Sequence, residues 1–285
     1  MNNIVIPSTY NYIGCFLTFK CNLHCSYCLN HQYGAKQKYE HMSPQQWIDG
    51  LNRIVTRDDL PITLQGGEPS MYKGLYEILA NVNRAINIDM LTNGTFFTQD
   101  FIDNVKPERL KRKAKYASIR ISYHPEQMSL DATVKKVKKL QDAGFSVGVW
   151  IVNHPAYTSM TVASQDIMIK EGIDCRLKEF LGEYKNKFYG TYKYPDSVDN
   201  YRTKTVMCKP SEMLIAPNGR IYQCHGHLYA NQPGYAHILD DNVTLLNEHK
   251  LCDMYGLCNS CDQKLKTDRF QQNGWCSVDI LELDK

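Results

Sequence analysis

The sequence predicts an α/β fold built on a parallel sheet. Short apolar strands alternate with helical patterns between Tyr12 and Phe180, and that alternation requires right-handed crossovers between parallel strands. Turn residues close several strands, as in Gly66-Gly67 and Asn93-Gly94. Six such strands suit a partial barrel or an open doubly wound sheet, and in both the ligands gather at the carboxyl ends of the strands.

Tyr12 to Thr18 reads as a buried strand. Ser43-Pro44-Gln45-Gln46 has the form of a capping box with proline at the first helical position, followed by Trp47, Ile48, Leu51, Ile54 and Val55 on one face. The pattern then gives a strand over Pro61–Gln65, a helix over Gly74–Asn83, a strand over Ile88–Thr92 and a helix around Gln99–Val105. It continues with a strand over Ser118–Ser122, a helix over Ser129–Ala143 closed by Gly144, a strand over Ser146–Asn153, a helix around Ala163–Glu171 and a strand over Asp174–Phe180. Gly182 to Arg202 is rich in Tyr, Lys, Asn and Gly without periodicity and reads as a linker. Met213–Ala216 and Arg220–Gln223 flank Pro217-Asn218-Gly219, a hairpin signal. We therefore expect a barrel unit over residues 1–200 and a small hairpin-containing domain over 201–285.

The chain has 285 residues, 43% hydrophobic and 22% charged, with a formal net charge of +3. These values suit a globular protein with a substantial core. No apolar run approaches the roughly 18 residues of a membrane span, and MNNIVIPSTY lacks the basic and apolar regions of a signal peptide. The expected location is cytoplasmic. Lys135, Lys136, Lys138 and Lys139 interleave with Leu130, Val134, Val137 and Leu140 at helical spacing. They read as a solvated helix face rather than a nucleic-acid stripe, since no interleaved aromatics accompany them.

Eleven cysteines without a secretion signal argue for metal rather than disulfides. In Cys21-x3-Cys25-x2-Cys28, three thiolates can hold three irons of a cubane cluster and leave the fourth open to a small ligand. A zinc knuckle completed by His24 or His31 is the alternative. Near the end of the chain, Cys208, Cys224 and the Cys258-Asn-Ser-Cys261 pair bring four thiolates from three short segments. Four can close a cluster or a zinc ribbon, with Cys252 and Cys276 as possible replacements. Cys15 and Cys175 read as core residues, with a lumen-facing thiol as the other option. His124, His225 and His227 fall near the cysteine loops. Arg176 and Lys178 share one face of the last strand, inward or outward.

The CxxxCxxC run, with Tyr27 before its last cysteine, resembles the signature of radical S-adenosylmethionine (SAM) enzymes. The resemblance implies a partial (β/α)6 TIM-like barrel and a 4Fe-4S cluster held by Cys21, Cys25 and Cys28. SAM would chelate the open iron, and one electron would split it to a 5′-deoxyadenosyl radical. A reductant such as flavodoxin or ferredoxin follows from that chemistry. Gly66-Gly67-Glu68-Pro69 is similar to the GGEP element that receives the SAM amino group, although a Gly-Gly turn with a solvated glutamate is its plain alternative. Ser122 matches a position contacting the SAM ribose or carboxylate, or else caps a turn. Thr92 and Asn93 would line the same mouth, or simply form an Asn-Gly turn. Val152 or Asn153 would lie near the adenine, against ordinary strand packing.

The carboxyl-terminal cysteines resemble a twitch extension, the shortened SPASM domain, which implies an auxiliary 4Fe-4S cluster on Cys208, Cys224, Cys258 and Cys261. Thr267 stands where a full SPASM domain continues with cysteine, which argues against a second auxiliary cluster. Two enzyme readings follow. One is oxidation or rearrangement of a small polar substrate such as a sugar, cyclitol or nucleoside. The other is modification of a ribosomally synthesised peptide. Only twenty residues precede Cys21, short of a peptide-recognition domain of about 80 residues, which favours the small molecule. A zinc or iron–sulfur binding or electron-transfer module, which would not cleave SAM, is the reading from another class.

Overall fold

The computed structural model describes residues 1–30, 40–57, 60–199, 202–266 and 274–283. The first half runs Ile4–Val5 (β1), Tyr12–Thr18 (β2), Pro44–Leu51 (α1), Ile54–Val55 (β3), Ile62–Gly66 (β4), Leu75–Asn81 (α2), Ile88–Thr92 (β5) and Thr98–Asn104 (α3). Ile119–Tyr123 (β6), Leu130–Asp142 (α4), Val147–Asn153 (β7), Thr158–Lys170 (α5) and Cys175–Glu179 (β8) complete the alternation. Then come Gly182–Tyr184 (β9), Lys187–Tyr189 (β10), Lys204–Pro210 (β11), Glu212–Ile215 (β12), Arg220–Tyr222 (β13) and His225–Tyr229 (α6). Ala236–His237 (β14), Lys250–Tyr255 (β15), Ser260–Gln263 (α7) and Val278–Glu282 (β16) end the chain.

The main sheet has the order β14-β13-β12-β2-β4-β5-β6-β7-β8, parallel from β12 to β8. From β2 onward the order rises steadily with sequence. A doubly wound sheet would reverse direction at a switch point, so the steady order is that of a partial barrel. The Asn218-Gly219 hairpin forms as expected, with Gly219 at φ 80°. Its first strand then pairs in parallel with β2, from Glu212↔Tyr12 to Ile215↔Cys15, so the sheet runs on into the carboxyl-terminal third.

Alternation along the strands divides two environments. Ile13, Cys15, Leu17, Ile62, Leu64, Ile88, Met90, Ile119, Ile121, Val149 and Ile151 join one core with Trp47, Leu51, Ile78, Phe101 and Leu140 from the helices. Burying a Leu-sized side chain there contributes about 1.5–3 kcal/mol. The other strand face carries Thr63, Gln65, Asp89, Arg120 and Ser122 toward the lumen. Asp89 is fully buried and is matched by Arg112 at 2.8 Å and Arg120 at 3.0 Å, which offsets the cost of burying charge. Helix α1 begins at the expected capping box: Gln46 N donates to Ser43 Oγ and Ser43 N donates to Gln46 Oε1.

Four expectations need correction. Ile54 and Val55, expected on the apolar face of α1, lie beyond its end at Leu51 and form β3, paired in parallel with β1, so that Ile54 is buried and Val55 is exposed. Helix α5 starts at Thr158, five residues before the expected Ala163, because it buries Thr161, Ser164 and Met168 while exposing Met160, Val162, Ile167 and Ile169. Its apolar residues therefore do not mark its inner face. The expected linker contains the β9–β10 hairpin, whose turn places Lys185 at φ 50° and Asn186 at φ 59°. That turn uses left-handed residues without glycine, so it gave no sequence signal. Lys136 is not simply solvated, since it is half-buried and donates to the carbonyls of Gly94 and Phe96. His31 and Thr267 lie outside the described residues. Among the described residues, no helix is long and apolar enough to cross a membrane.

Candidate functional site

Strand β2 delivers the chain to the cysteine loop, and the Gly66-Gly67-Glu68 turn at the end of β4 grips it there. Gly67 N donates to Thr18 O at 2.8 Å and Glu68 N donates to Lys20 O at 2.9 Å. A Cβ on Gly66 would lie 2.1 Å from Thr18 O, and one on Gly67 would lie 2.3 Å from Lys20 O. The glycines are required because two backbones touch. The cysteine loop and the glycine turn are thus one structural piece.

Glu68 is fully buried. Its Oε1 accepts from Ser70 N, Ser70 Oγ and Thr92 Oγ1, and its Oε2 accepts from Asn93 N at 2.6 Å. Burial pushes its carboxyl above the ordinary range, against the pull of these donors. The side chain is not the solvated glutamate of a simple turn, since it ties the end of β4 to the end of β5. From there Asn93 Nδ2 reaches Asn22 Oδ1 at 3.0 Å and Cys21 Sγ at 3.7 Å. Asn93 is therefore placed against the cysteine loop while Thr92 bonds Glu68 behind it, and an amide donor on a thiolate is the kind of contact that tunes a metal ligand.

The loop after β6 holds the opposite side. His24 N donates to Gln127 Oε1, while Ser26 N and Oγ donate to Glu126. Tyr27 Oη lies 2.9 Å from His124 Nδ1, and its ring stacks on His154 with centroids 5.3 Å apart. Burial lowers His124 to about 4, so the imidazole is neutral at physiological pH. Cys25 is buried, which pushes its thiol up to about 12, with the neighbouring Cys28, Glu126 and Cys21 adding to the shift. Cys21 and Cys28 are half-buried.

Inside the barrel lies a cavity of about 270 Å³ lined by residues that include Tyr27, Leu91, Val152 and Lys178. Val152 is thus on the lumen wall, and Ser122 shares the lumen face of β6 with Arg120, opposite Trp150 in the register. Lys178 reaches the cavity, whereas Arg176 is held by Asp174 at 2.9 Å. The wall also carries three residues with buried polar atoms lacking a hydrogen-bond partner: Gln65 Nε2, Arg120 Nε and Glu212 Oε2. Such atoms are costly unless a ligand satisfies them. Sequence reasoning passed over all three, although Gln65 and Arg120 are polar residues at alternate positions of otherwise apolar strands.

In the carboxyl-terminal third, Cys208, Cys224 and Cys258 surround a small cavity of about 20 Å³, and Cys252 lies on the same wall. Cys261 lines the lumen cavity instead. Cys276 Sγ donates to Val278 O at 2.8 Å. Cys15 and Cys175 belong to the core between sheet and helices, away from the lumen. His225 is bonded to Asp262 through both its backbone N and Nδ1. His227 Nε2 lies 3.0 Å from Gln223 Nε2.

A single zinc ion, with Zn–S bonds near 2.3 Å, draws its thiolates to within about 3.8 Å of one another. Among the described residues, the group of three potential ligand atoms mutually within 4.8 Å is Glu212, His225 and Asp262, and neither cysteine group reaches that closeness. For Cys21, Cys25 and Cys28 this wider spread suits thiolates on the separate irons of a cluster.

A partial barrel with a three-cysteine loop clamped at the carboxyl mouth of its strands defines an enzyme built around an iron–sulfur centre. The Radical SAM superfamily model matches residues 16–158, half the chain, and the protein belongs to that superfamily. Membership implies a 4Fe-4S cluster and S-adenosylmethionine, and the donor set of Cys21, Cys25 and Cys28 fits the cluster. Over 79 residues, 27% of this chain, it is 33% identical to the sporulation killing factor maturation protein SkfB of Bacillus subtilis, covering 19% of that protein. Over 170 residues, 58% of this chain, it is 23% identical to the GTP 3′,8-cyclase of Clostridium perfringens, covering 50% of it. The fold is similar to Streptococcus suis SuiB bound to the precursor peptide SuiA, with a TM-score of 0.56 and 14% identity over 82% of this chain and 64% of SuiB. It is also similar to anSMEcpe with bound AdoMet and Cp18Cys peptide, with a TM-score of 0.52 and 12% identity over 80% of this chain and 77% of that one. The chain spans about a fifth of SkfB, half of the cyclase and under two thirds of SuiB.

Proposed function

We propose that this radical SAM enzyme modifies a peptide, and that residues 201–285 form a twitch-like unit holding an auxiliary 4Fe-4S centre. The observation that carries the peptide reading is the 33% identity to a maturation protein. Two proteins of similar fold also bind peptides alongside their shared architecture. The short stretch ahead of Cys21, which on sequence alone favours a small molecule, is no guide to how substrate is recruited.

When bound and reduced, the cluster and S-adenosylmethionine supply a 5′-deoxyadenosyl radical that takes a hydrogen atom from the substrate. The protein's part is to position and exclude. Gly66 and Gly67 let the glycine turn clamp the cysteine loop, and Asn93 bonds Cys21. Tyr27, His124 and His154 wall the loop from the lumen side, with Val152 and Ser122 along the strands toward which the nucleoside would lie. Gln65 Nε2 and Arg120 Nε offer donors to the substrate, and Glu212 Oε2 offers an acceptor. A polar group carrying both donor and acceptor, such as a peptide backbone or amide side chain, meets all three. A flavodoxin or ferredoxin would deliver the electron.

A small polar substrate is the second reading, and the match to GTP 3′,8-cyclase favours it. To separate the two, the anaerobically reconstituted protein would be reduced with dithionite, given SAM, and offered a uniformly deuterated peptide mixture or a deuterated sugar and nucleoside mixture. Deuterium should enter 5′-deoxyadenosine from the peptides. Deuterium arriving only from sugars or nucleosides would overturn the peptide assignment.

A further inference from the structure

We propose that the fourth thiolate of the carboxyl-terminal centre is Cys252, and that Cys261, second member of the CxxC pair, is instead a free thiol on the wall of the substrate cavity. This rests on the auxiliary-centre reading above and names its ligands.

The register makes the case first. In the antiparallel pair β11–β15, Val206 faces Cys252 and Cys208 faces Lys250. Residues two apart on a strand share a face, so Cys208 and Cys252 are diagonal neighbours on one side of the sheet. Cys224 and Cys252 both pack against the buried cluster that contains Cys208. Cys224 caps α6, its Sγ accepting from His227 N at 3.4 Å.

Cys258 comes back over this face because of a tight turn. Gly256, at φ 100°, and Cys258 both donate their backbone N–H to Ser197 O, at 3.1 and 2.9 Å. The chain then changes direction at Asn259, which is extended at φ −70° and ψ 137° and caps α7. Had the helix begun at Cys258, the two cysteines of the pair would lie on one helical face. Because it begins after the extended cap, they do not. The side of α7 turned to the four-cysteine cavity carries Asp262 and Gln263, and Cys261 lies with Lys264 and Lys266 on the lumen wall. Cys276, the other spare, is occupied by its bond to Val278 O.

The test uses the full chain carrying Cys21→Ala, Cys25→Ala and Cys28→Ala, so that only the carboxyl-terminal centre remains. After anaerobic reconstitution this background should hold about four irons and give the reduced-cluster EPR signal. Adding Cys252→Ala should abolish the iron or convert the signal to a three-iron species, while adding Cys261→Ala should leave both iron content and spectrum unchanged. Cys252→Ser and Cys261→Ser repeat the comparison with a smaller change of volume, and circular dichroism checks folding. In the serine pair, only the Cys252 variant should shift the g values. Iron lost with Cys261→Ala, or retained unchanged with Cys252→Ala, overturns the assignment. A background that binds no iron at all overturns the auxiliary centre itself, which is a different failure.

Discussion

Replacing Gly67 by alanine tests whether the glycine turn sets the geometry of the cysteine loop. The new Cβ would meet Lys20 O at 2.3 Å and Phe19 O at 2.6 Å, both backbone atoms that no rotamer can move aside. Restoring ordinary contact requires the two segments to part by roughly 1 Å, and a displacement of that size in a reacting site can cost on the order of 100-fold. Parting them also stretches the bonds from Gly67 N to Thr18 O and from Glu68 N to Lys20 O, worth about 1 kcal/mol each. The expected result is a variant destabilised by about 2 kcal/mol that still takes up iron but forms 5′-deoxyadenosine roughly 100-fold more slowly. Product would be quantified by chromatography after dithionite and SAM. Gly172→Ala is the control: its φ is 76°, so alanine is strained there too, but nothing lies within 4 Å of the added carbon. It should lose about 1–2 kcal/mol of stability and keep its turnover. If Gly67→Ala turns over like the parent, the clamp does not position the cluster ligands.

Ser43→Ala removes the oxygen that caps α1 and should cost about 1 kcal/mol in denaturant unfolding, with 5′-deoxyadenosine formation unaffected. His124 is held near 4 in the folded protein against about 6.5 when unfolded, so between those values the unfolded chain binds more protons and stability rises with pH. Unfolding free energy should therefore fall by at most about 3 kcal/mol as pH drops through that window, and His124→Gln should flatten the dependence; an unchanged slope would refute it. Gln65→Glu keeps an acceptor for the Tyr12 hydroxyl but replaces the unpartnered Nε2 donor with an acceptor. Hydrogen transfer from substrate should fall about tenfold, equivalent to about 1.4 kcal/mol, while substrate-free SAM cleavage changes little.

What could be read from the sequence followed local chemistry. The capping box at Ser43, the Asn218-Gly219 hairpin and the barrel strands were legible because each depends on neighbouring residues or on simple alternation. Helix α5 and the β9–β10 hairpin were not. The first hides its inner face behind Thr161 and Ser164, and the second turns on Lys185 and Asn186. The pairing of β12 with β2 joins segments about 200 residues apart in the chain, and no local pattern announces such a contact.

The cysteine loop itself shows why the motifs carry more in three dimensions than in sequence. The polar contacts that hold residues 21–28 come largely from elsewhere: Asn93 and Thr95 after β5, and Glu126 and Gln127 after β6. The Glu68 side chain fastens β5 to the glycine turn of β4, while its backbone N–H bonds Lys20 O where the loop begins. Three consecutive strand ends are thereby locked to one another and to the loop, so the cysteines take their positions from the barrel rather than from their own short segment. A loop built this way resists collapse when its thiols are unliganded, and it should bind iron into a mouth whose shape already exists. Removing Glu68 would then loosen Asn93 and Cys21 together, even though Asn93 stands between that carboxylate and the sulfur.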